Sequence, residues 1–266
     1  MGKLVCFWSP YAGHGKGTSS LCAVLGGFVL QHPELNIAVS YTQKGDKSLI
    51  KKLDGDVAAW NDNGWLDSFG IGTLKMFSRQ NTVSTDYIRH CGLSVSDKEL
   101  FFYPNVSWGE PDDRETFELM TKHLPKAFDI AFLDLESGDK ERAVQYMEAA
   151  DYVIVVLPQE PLYAEKFLQE NSGSFAGIDF GIIFGGCISS SQYRSAFYKK
   201  RYGKKTGDRI LGEILWNADY FEAMSAGKTI DFFFRNNMPV KKEENYEFIS
   251  QVKKTTERIR EKLVFS

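Results

Sequence analysis

The sequence predicts an α/β protein of three layers, in which a mostly parallel, twisted sheet carries helices on both faces. Short apolar, β-branched segments alternate along the chain with segments of helical apolar spacing. Segments 131–135 and 152–158 are apolar on both faces, as central parallel strands must be because helices cover them. A glycine-rich turn directly follows the first apolar segment and opens a helical one. These three observations together predict repeated strand–helix–strand units.

The predicted strands, in chain order, cover residues 4–8, 37–41, 100–103, 130–133, 152–157, 181–184 and 210–215. The predicted helices cover residues 19–31, 114–124, 140–149, 163–171 and 246–265. Region 54–96 is rich in Asn, Asp, Gly and Ser, so we expect loops and short helices beside the sheet. Because no repeat and no low-complexity linker interrupts the chain, the sequence predicts a single domain over residues 1–266.

The composition limits the class of protein. Of 266 residues, 43% are hydrophobic and 25% charged, and the net charge is −3, so binding to nucleic acid or a membrane would require a local patch. The four cysteines are far apart and form no CxxC pair, which argues against a zinc or iron–sulfur site. No segment approaches the roughly 20 apolar residues that span a bilayer, and we therefore expect a cytoplasmic protein.

Residues 9–20, with the sequence SPYAGHGKGTSS, form the strongest candidate site. Glycines in such a turn let backbone N–H groups surround phosphate oxygens, and the helix that follows favours an anion at its first turn. A lysine there neutralises β/γ-phosphate charge, and a hydroxyl after it holds Mg²⁺. The alternative is a tight strand-to-helix turn without a ligand. The candidate nucleotide-binding residues of this loop are Gly13, His14, Gly15, Lys16, Gly17, Thr18 and Ser19.

A second candidate lies at the end of the fourth predicted strand. Segment 128–138, FDIAFLDLESG, is an apolar strand that ends in Asp134 and continues into a turn of small residues. A carboxylate at such a strand end holds a magnesium-bound water. The alternative is an ordinary helix cap. The predicted metal-binding residues are therefore Thr18 and Asp134, and the predicted cofactors are ATP or ADP with Mg²⁺.

These two motifs, together with AADYVIVVLP at 149–158, ILGEIL at 210–215 and EAMSAGK at 222–228, resemble the MinD/ParA family of P-loop ATPases. The segments occur in the family's order and span almost the whole chain. The resemblance implies a P-loop NTPase fold, a face-to-face homodimer held by ATP and, if the site is active, ATP hydrolysis. The pilus-associated branch that resembles CpaE and TadZ fits better than a partition motor does, because its loops are often altered.

The loop departs from the family pattern, which reads roughly K-G-G-x-G-K-T-T. Without gaps, Tyr11 stands where the family's signature lysine reaches the partner's nucleotide, and Gly17 stands where the magnesium-binding threonine belongs. A shift of one residue places Thr18 at the metal but Gly17 at the lysine position. Both alignments stay open at this point. The second predicted strand also lacks the family's acidic pair, and Asp46 follows only later.

The base-binding residues of the family are also replaced. Its adenine-clamping asparagine is matched by Gly185 and its clamping proline by Trp216, whose indole can stack on a base. The alternative for Trp216 is a core or rim aromatic. In-line hydrolysis depends on positioned charge and water, so the combined departures predict nucleotide binding with little or no ATP hydrolysis.

Residues 191–209 combine basic and aromatic side chains, from Arg194 to Arg209. Such a segment suits contacts to non-specific DNA or an acidic protein, and the alternative is a solvated helix or loop. The final predicted helix is expected to close on the sheet, because Glu257 and Glu261 weaken its basic face, so we do not expect membrane binding. The alternative is an amphipathic membrane-targeting helix. The resemblance implies a localisation or assembly factor for partition, pilus, secretion or cell-pole positioning. The alternative is a non-hydrolysing scaffold that has lost nucleotide binding.

Overall fold

Eight strands form one sheet in the computed structural model, which describes residues 2–42, 48–56, 69–79, 83–95, 99–104, 114–170, 175 and 177–263. The spatial order is β3-β4-β2-β5-β1-β6-β7-β8. The strands are β1 Lys3–Trp8, β2 Ile37–Tyr41, β3 Leu93–Ser94, β4 Leu100–Phe102, β5 Ile130–Asp134, β6 Tyr152–Pro158, β7 Phe180–Cys187 and β8 Ile210–Leu215. All pairs are parallel except β3 with β4. The predicted mostly parallel sheet is confirmed.

The helices follow the predicted alternation, with additions. They are Gly17–Gln31 (α1), Ser48–Leu53, Ile71–Ser78, Thr85–His90, Arg114–Glu118, Leu124–Ala127, Lys140–Ala149, Pro161–Glu170, Ser195–Thr206, Ala218–Ser225, Thr229–Arg235 and Tyr246–Leu263. Region 54–96 holds short helices where it is described, together with β3, which at two residues is too short to show alternation in the sequence.

The helix predicted over residues 114–124 is present, but it contains a π-helical turn that the sequence did not predict. A π-helical turn, Leu119–His123, separates the two α-helical pieces. Pro125 has no N–H and cannot continue a regular helical ladder. The N–H of Leu124 bonds instead to the Leu119 carbonyl, five residues back.

One face of the sheet is covered by α1 and the last two helices. A Cβ on Gly26 would lie 2.1 Å from Phe233 Cδ2, and a Cβ on Gly27 would lie 2.3 Å from Thr256 Oγ1. These close approaches require glycine, because any side chain would push the helices apart. The predicted apolar stripe of the last helix is buried against this layer and comprises Phe248, Ile249, Val252, Ile259 and Leu263. The expectation that this helix closes on the sheet is confirmed.

The other face carries the helices Lys140–Ala149, Pro161–Glu170 and Ser195–Thr206. The Cys6 thiol of β1 lies 3.6 Å from the Tyr146 carbonyl, and the Phe184 ring of β7 stacks on Tyr198 at 4.6 Å between centroids. Helices on both faces complete the predicted three-layer α/β architecture. Among the described residues, no helix combines the length and apolarity needed to cross a bilayer.

Candidate functional site

Parallel strands bring their carboxyl ends to one edge of the sheet, and the predicted site residues lie there. The turn after β1 crosses directly over β6. A Cβ on Gly15 would lie 1.8 Å from Ser9 Oγ and 2.9 Å from the Val156 carbonyl. Glycine is therefore required at position 15 for the loop to approach the sheet this closely.

The loop presents fewer free amides than the motif predicts. The N–H groups of His14 and Gly15 both donate to the Tyr11 carbonyl, over 3.2 and 3.3 Å. The N–H groups at Gly17, Thr18 and Ser19 have no acceptor within the described part of the chain, as is normal for the first turn of a helix. These three donors, at the positive end of α1, are placed to bind an anion.

Lys16 has an unusual backbone conformation. Its φ of 56° makes it the one non-glycine residue with positive φ among the described residues. Such a backbone costs roughly 1–2 kcal/mol for a residue with a Cβ. The Lys16 Cγ lies 3.3 Å from the place that a Cβ on Gly186 would occupy, so the stem runs along the end of β7.

Thr18 and Asp134 meet as the sequence predicts. The Thr18 hydroxyl donates to Asp134 Oδ2 over 2.6 Å, and Asp134 ends β5 between β1 and β2. Gly17 does not face this carboxylate, because a Cβ there would point toward Ser137 Oγ at 3.7 Å. The geometry thus favours the alignment shifted by one residue. In that alignment position 17, which would carry the lysine, holds a glycine.

The end of β2 carries a hydroxyl in place of an acid. The Thr42 N–H donates to the Asp134 carbonyl over 3.0 Å, and the Thr42 hydroxyl accepts from the Glu136 N–H over 3.1 Å. Thr42 therefore holds β2 to the turn after β5 and supplies no carboxylate. Asp46, which the sequence offered as a substitute, lies outside the described residues.

Tyr11 and His14 fold onto their own chain. The Tyr11 hydroxyl donates to the Tyr163 carbonyl over 2.9 Å, and the two rings lie 4.8 Å apart. The His14 ring lies 5.0 Å from the same tyrosine ring. The side chain at the signature-lysine position is thus bound to the first turn of helix Pro161–Glu170. No local sequence pattern indicates the role of Tyr163, which became visible only in the packing.

A pocket of about 180 Å³ opens beside the loop at the ends of β7 and β8. This volume is smaller than the roughly 300–1,000 Å³ of pockets that hold a whole ligand, so the pocket suits a single ring system. Trp216 is 61% exposed at its edge, so it is a rim aromatic. The lining residues are Lys16, Ser19, Ser20, Gly186, Ile214, Leu215, Trp216, Asn217, Tyr220, Phe221 and Met224.

Two polar side chains of this pocket differ in whether they already have a hydrogen-bond partner. The side-chain oxygen of Asn217 accepts from the Tyr220 N–H and its side-chain amide donates to Asn245, so each end already has a partner. The Ser20 hydroxyl is buried and has no hydrogen-bond partner in the described part of the chain. Sequence reasoning missed Ser20, although its place one turn beyond Lys16 on α1 put it within reach of the site.

The packing around Gly185 explains why this chain has glycine where the family has an asparagine. A Cβ at this position would lie 2.6 Å from the Gly15 carbonyl and 2.7 Å from Ser20 Oγ. No side chain fits there without moving the loop.

The described residues contain no group of three or more His, Cys, Asp or Glu side chains that would hold a metal ion. Magnesium needs no such group, because it binds one or two protein oxygens and completes its shell with water and phosphate. The Thr18 hydroxyl and the Asp134 carboxylate, in direct contact, fit this requirement. The four cysteines are buried and free, and burial raises the pKa of the Cys22 thiol to about 12.

The basic segment at 191–209 is a helix, Ser195–Thr206, preceded by Arg194. Arg194 is not part of an open basic surface, which corrects the sequence interpretation. It donates to Glu213 over 2.6 and 2.8 Å and to Glu247 over 2.8 Å. Glu213 is only 3% exposed. Hydrogen bonding to Glu213, opposed by burial and aided by Glu247, raises the pKa of Arg194 above its usual value.

The positive charge that remains at the surface lies farther along. Arg201 is paired with Glu165 over 3.5 Å. Apart from Arg201, the exposed basic side chains of this segment are Lys200, Lys204, Lys205 and Arg209.

The sheet order, the loop between β1 and α1 and the Thr18–Asp134 contact together define a P-loop α/β fold. No protein-family model matches the sequence, and no curated protein matches it either. Solved structures do match over nearly the whole chain, and they are ParA and MinD proteins. The chain therefore has the MinD/ParA fold.

Three of these structures illustrate the likeness. A plasmid partition protein from Borrelia burgdorferi B31 bound to AMPPNP has a TM-score of 0.64 at 17% identity, covering 98% of this chain and 100% of that one. A ParA family ATPase from Chlorobium tepidum TLS has a TM-score of 0.66 at 14% identity, covering 94% and 97%. The septum site-determining protein MinD from Pyrococcus horikoshii OT3, complexed with Mg-ADP, has a TM-score of 0.59 at 13% identity, covering 97% and 96%.

Proposed function

We propose that this chain is a single-domain, cytoplasmic, nucleotide-binding localisation or assembly factor, of the kind that positions partition, pilus, secretion or cell-pole machinery. It binds ATP or ADP with Mg²⁺ at the carboxyl edge of the sheet and turns the nucleotide over slowly or not at all. The fold shared with ParA and MinD proteins supports this proposal, as do the AMPPNP and Mg-ADP bound in two of those structures.

The observation that carries the proposal is the contact between Thr18 and Asp134 beside three unpaired amides. The amides of Gly17, Thr18 and Ser19 supply donors for phosphate oxygens. The Thr18 hydroxyl and the Asp134 carboxylate supply two oxygens for Mg²⁺, 2.6 Å apart. When bound, the metal neutralises phosphate charge. Trp216, at the rim of the adjoining pocket, is placed to stack on the base.

The same geometry argues against efficient turnover. Phosphoryl transfer depends on a positioned water and on positive charge at the terminal phosphate. Thr42 replaces a carboxylate at the end of β2, and its hydroxyl is already bonded to the Glu136 N–H. Tyr11 replaces a lysine, and its hydroxyl is bonded to Tyr163.

We further propose that the chain forms a homodimer through the carboxyl edge of the sheet. Three large apolar side chains that follow the carboxyl ends of β6, β7 and β8 are exposed: Leu162 by 75%, Ile188 by 61% and Phe221 by 54%. Contiguous exposed apolar surface marks contact sites, and we propose that these three side chains contribute to one. The basic side chains of Lys200, Lys204 and Lys205 supply a separate surface for DNA or an acidic protein.

Calorimetry with Mg-ADP and Mg-ATP tests nucleotide binding. We expect heat and a thermal shift, because ligand at about 100 times its dissociation constant stabilises a protein by about 2.7 kcal/mol. In Thr18→Val, Mg²⁺ should add less to the affinity than in the wild type, because the metal loses one oxygen. Lys122→Ala, on the π-helical turn away from the site, is the control and should bind normally. Neither heat nor stabilisation at millimolar nucleotide would contradict the proposal.

The second candidate function is a scaffold that binds proteins through the same edge and no nucleotide. The exposure of Leu162, Ile188 and Phe221 favours it independently of the loop. The two functions are separated by the same calorimetry, since a scaffold would assemble normally while giving no heat with nucleotide.

A further inference from the structure

We propose that a groove between the helices Pro161–Glu170 and Ser195–Thr206 binds an acidic peptide segment of a partner protein. The inference rests on the surface proposed above for DNA or an acidic protein, and it names which of the two this groove takes. It does not depend on nucleotide binding, because none of the described residues that line the groove belongs to the nucleotide site.

The groove has a volume of about 500 Å³, and two neighbouring helices form its walls. Arg201 lies three and four residues before Lys204 and Lys205, so these cations share one side of their helix. Gln169, on the other helix, donates from Nε2 to the Tyr202 hydroxyl oxygen over 3.1 Å and so joins the two helices. The described lining residues are Gln169, Arg201, Tyr202, Lys204 and Lys205.

The side chains that line the groove are mainly hydrogen-bond donors. Tyr202 is 7% exposed, and its own hydroxyl hydrogen has no acceptor in the part of the chain that the structure describes. Lysine and arginine side chains carry donors only, and none of the described lining residues is acidic. A ligand that supplies several acceptors and negative charge therefore matches the groove.

Arg201 is already oriented at this surface. Its Cζ lies 5.8 Å from the ring centroid of Phe197 and 5.7 Å from that of Tyr202, and its Nη1 lies 3.5 Å from Glu165 Oε1. These contacts hold the planar guanidinium in place. Lys204 and Lys205, by contrast, form no ion pair with any described residue. Because like charges one helical turn apart repel each other, a bound carboxylate would relieve that repulsion.

The extent of the charge favours a peptide over duplex DNA. A duplex carries one charge for roughly every 1.7 Å of its axis, so firm binding requires a long row of cations. The cations of the groove span only about 6 Å of helix axis. The net charge of −3 on the whole chain also opposes a long polyanion. The carboxylate of a peptide side chain, in contrast, can pair with the Arg201 guanidinium and the Tyr202 hydroxyl, and clusters of basic side chains recognise acidic motifs in this way.

Fluorescence anisotropy with a labelled oligo-glutamate peptide and nucleotide-free protein tests the inference. We expect saturable binding of the peptide at physiological salt, whereas a labelled DNA duplex should bind only at low salt. Lys204→Ala combined with Lys205→Ala should weaken peptide binding about tenfold. Lys241→Ala combined with Lys242→Ala is the matched control. It removes the same charge from other exposed positions and should change peptide binding by less than about twofold.

Tyr202→Phe distinguishes this groove from a general basic surface. The variant keeps the ring and loses the hydroxyl, so peptide affinity should fall about threefold while the weak DNA binding at low salt stays unchanged. Thermal unfolding checks that each variant is folded. The inference would be overturned by the absence of saturable peptide binding at physiological salt, by an equal loss in the control, by unchanged peptide affinity in Tyr202→Phe, or by tighter binding of the duplex than of the peptide at that salt. Peptide binding together with no nucleotide heat in calorimetry would contradict only the proposed nucleotide function.

Discussion

The Tyr11 hydroxyl donates a hydrogen bond to the Tyr163 carbonyl across 2.9 Å, which ties the phosphate loop to the first turn of the neighbouring helix. The side chain at this position is therefore committed within its own chain and carries no charge for a partner's phosphate. The proposed dimer would therefore rest on other contacts, for which Leu162, Ile188 and Phe221 are exposed.

The first prediction follows for assembly. Sedimentation velocity should give the same oligomeric state with no nucleotide, with Mg-ADP and with Mg-ATP, because no charged contact links the partner to the phosphates. Leu162→Ser should weaken the dimer by removing apolar contact area. Tyr11→Phe, which keeps the ring and loses only one hydrogen bond, is the control and should leave assembly unchanged. A dimer that forms only with ATP would contradict this prediction.

The second prediction concerns turnover. Phosphate release from Mg-ATP should not exceed the order of 10⁻⁴ s⁻¹, the intrinsic level of P-loop NTPases that lack a catalytic arginine. DNA or lipid should not raise it, since Tyr11 stands in place of the signature lysine and Thr42 in place of the carboxylate at the end of β2. The wild type and Asp134→Ala should show the same residual rate. Fast release that Asp134→Ala abolishes would show that the site is an active ATPase.

The third prediction uses the left-handed backbone at Lys16, with its φ of 56°. Lys16→Gly and Lys16→Ala both remove the ammonium, but only glycine tolerates this conformation without strain. The glycine variant should be about 1 kcal/mol more stable than the alanine variant in chemical denaturation without ligand. Equal stabilities would mean that the backbone at this position is not left-handed in solution.

The fourth prediction concerns Arg194. Its removal leaves Glu213, which is 3% exposed, without the cation that pairs with it. Arg194→Ala should therefore lower the free energy of unfolding by about 3 kcal/mol. Lys200→Ala, on the exposed side of the helix that follows Arg194, should change it by less than about 0.5 kcal/mol. Similar small effects of both substitutions in urea denaturation would contradict a structural role for Arg194.

The fifth prediction concerns the basic helix. Binding to duplex DNA should be detectable at low salt and should fall steeply as salt rises, because it is driven by phosphate contacts. Replacing Lys200, Lys204 and Lys205 by Ala should make the slope of log binding constant against log salt concentration less steep. The slope should change by about 0.9 for each phosphate contact that is lost. The matched control replaces Lys51, Lys241 and Lys242, which removes the same charge elsewhere on the surface. If the control triple variant loses as much DNA binding, this helix is not the DNA surface.

The sequence by itself determined the alternation of the central strands with the main helices that cover them. Central parallel strands are covered on both faces, so β5 and β6 are uninterrupted apolar runs that can be recognised without a structure. The loop after β1 and the aspartate that ends β5 were found in the same way, because each follows directly on such a run. Local patterns could not predict the π-helical turn before Pro125. The apolar spacing there is that of a regular α-helix, and only the N–H that Pro125 lacks disturbs the hydrogen bonds.

The tertiary structure decided what the loop residues face. The sequence left open whether Gly17 or Thr18 meets the metal position, and the 2.6 Å contact with Asp134 favours Thr18. It also placed Lys16 beside Gly186 and gave Arg194 a buried partner in Glu213. The physical reason is the same in each case. The direction of a side chain depends on the backbone angle at that residue and on contacts with strands distant in sequence. The local sequence pattern specifies neither.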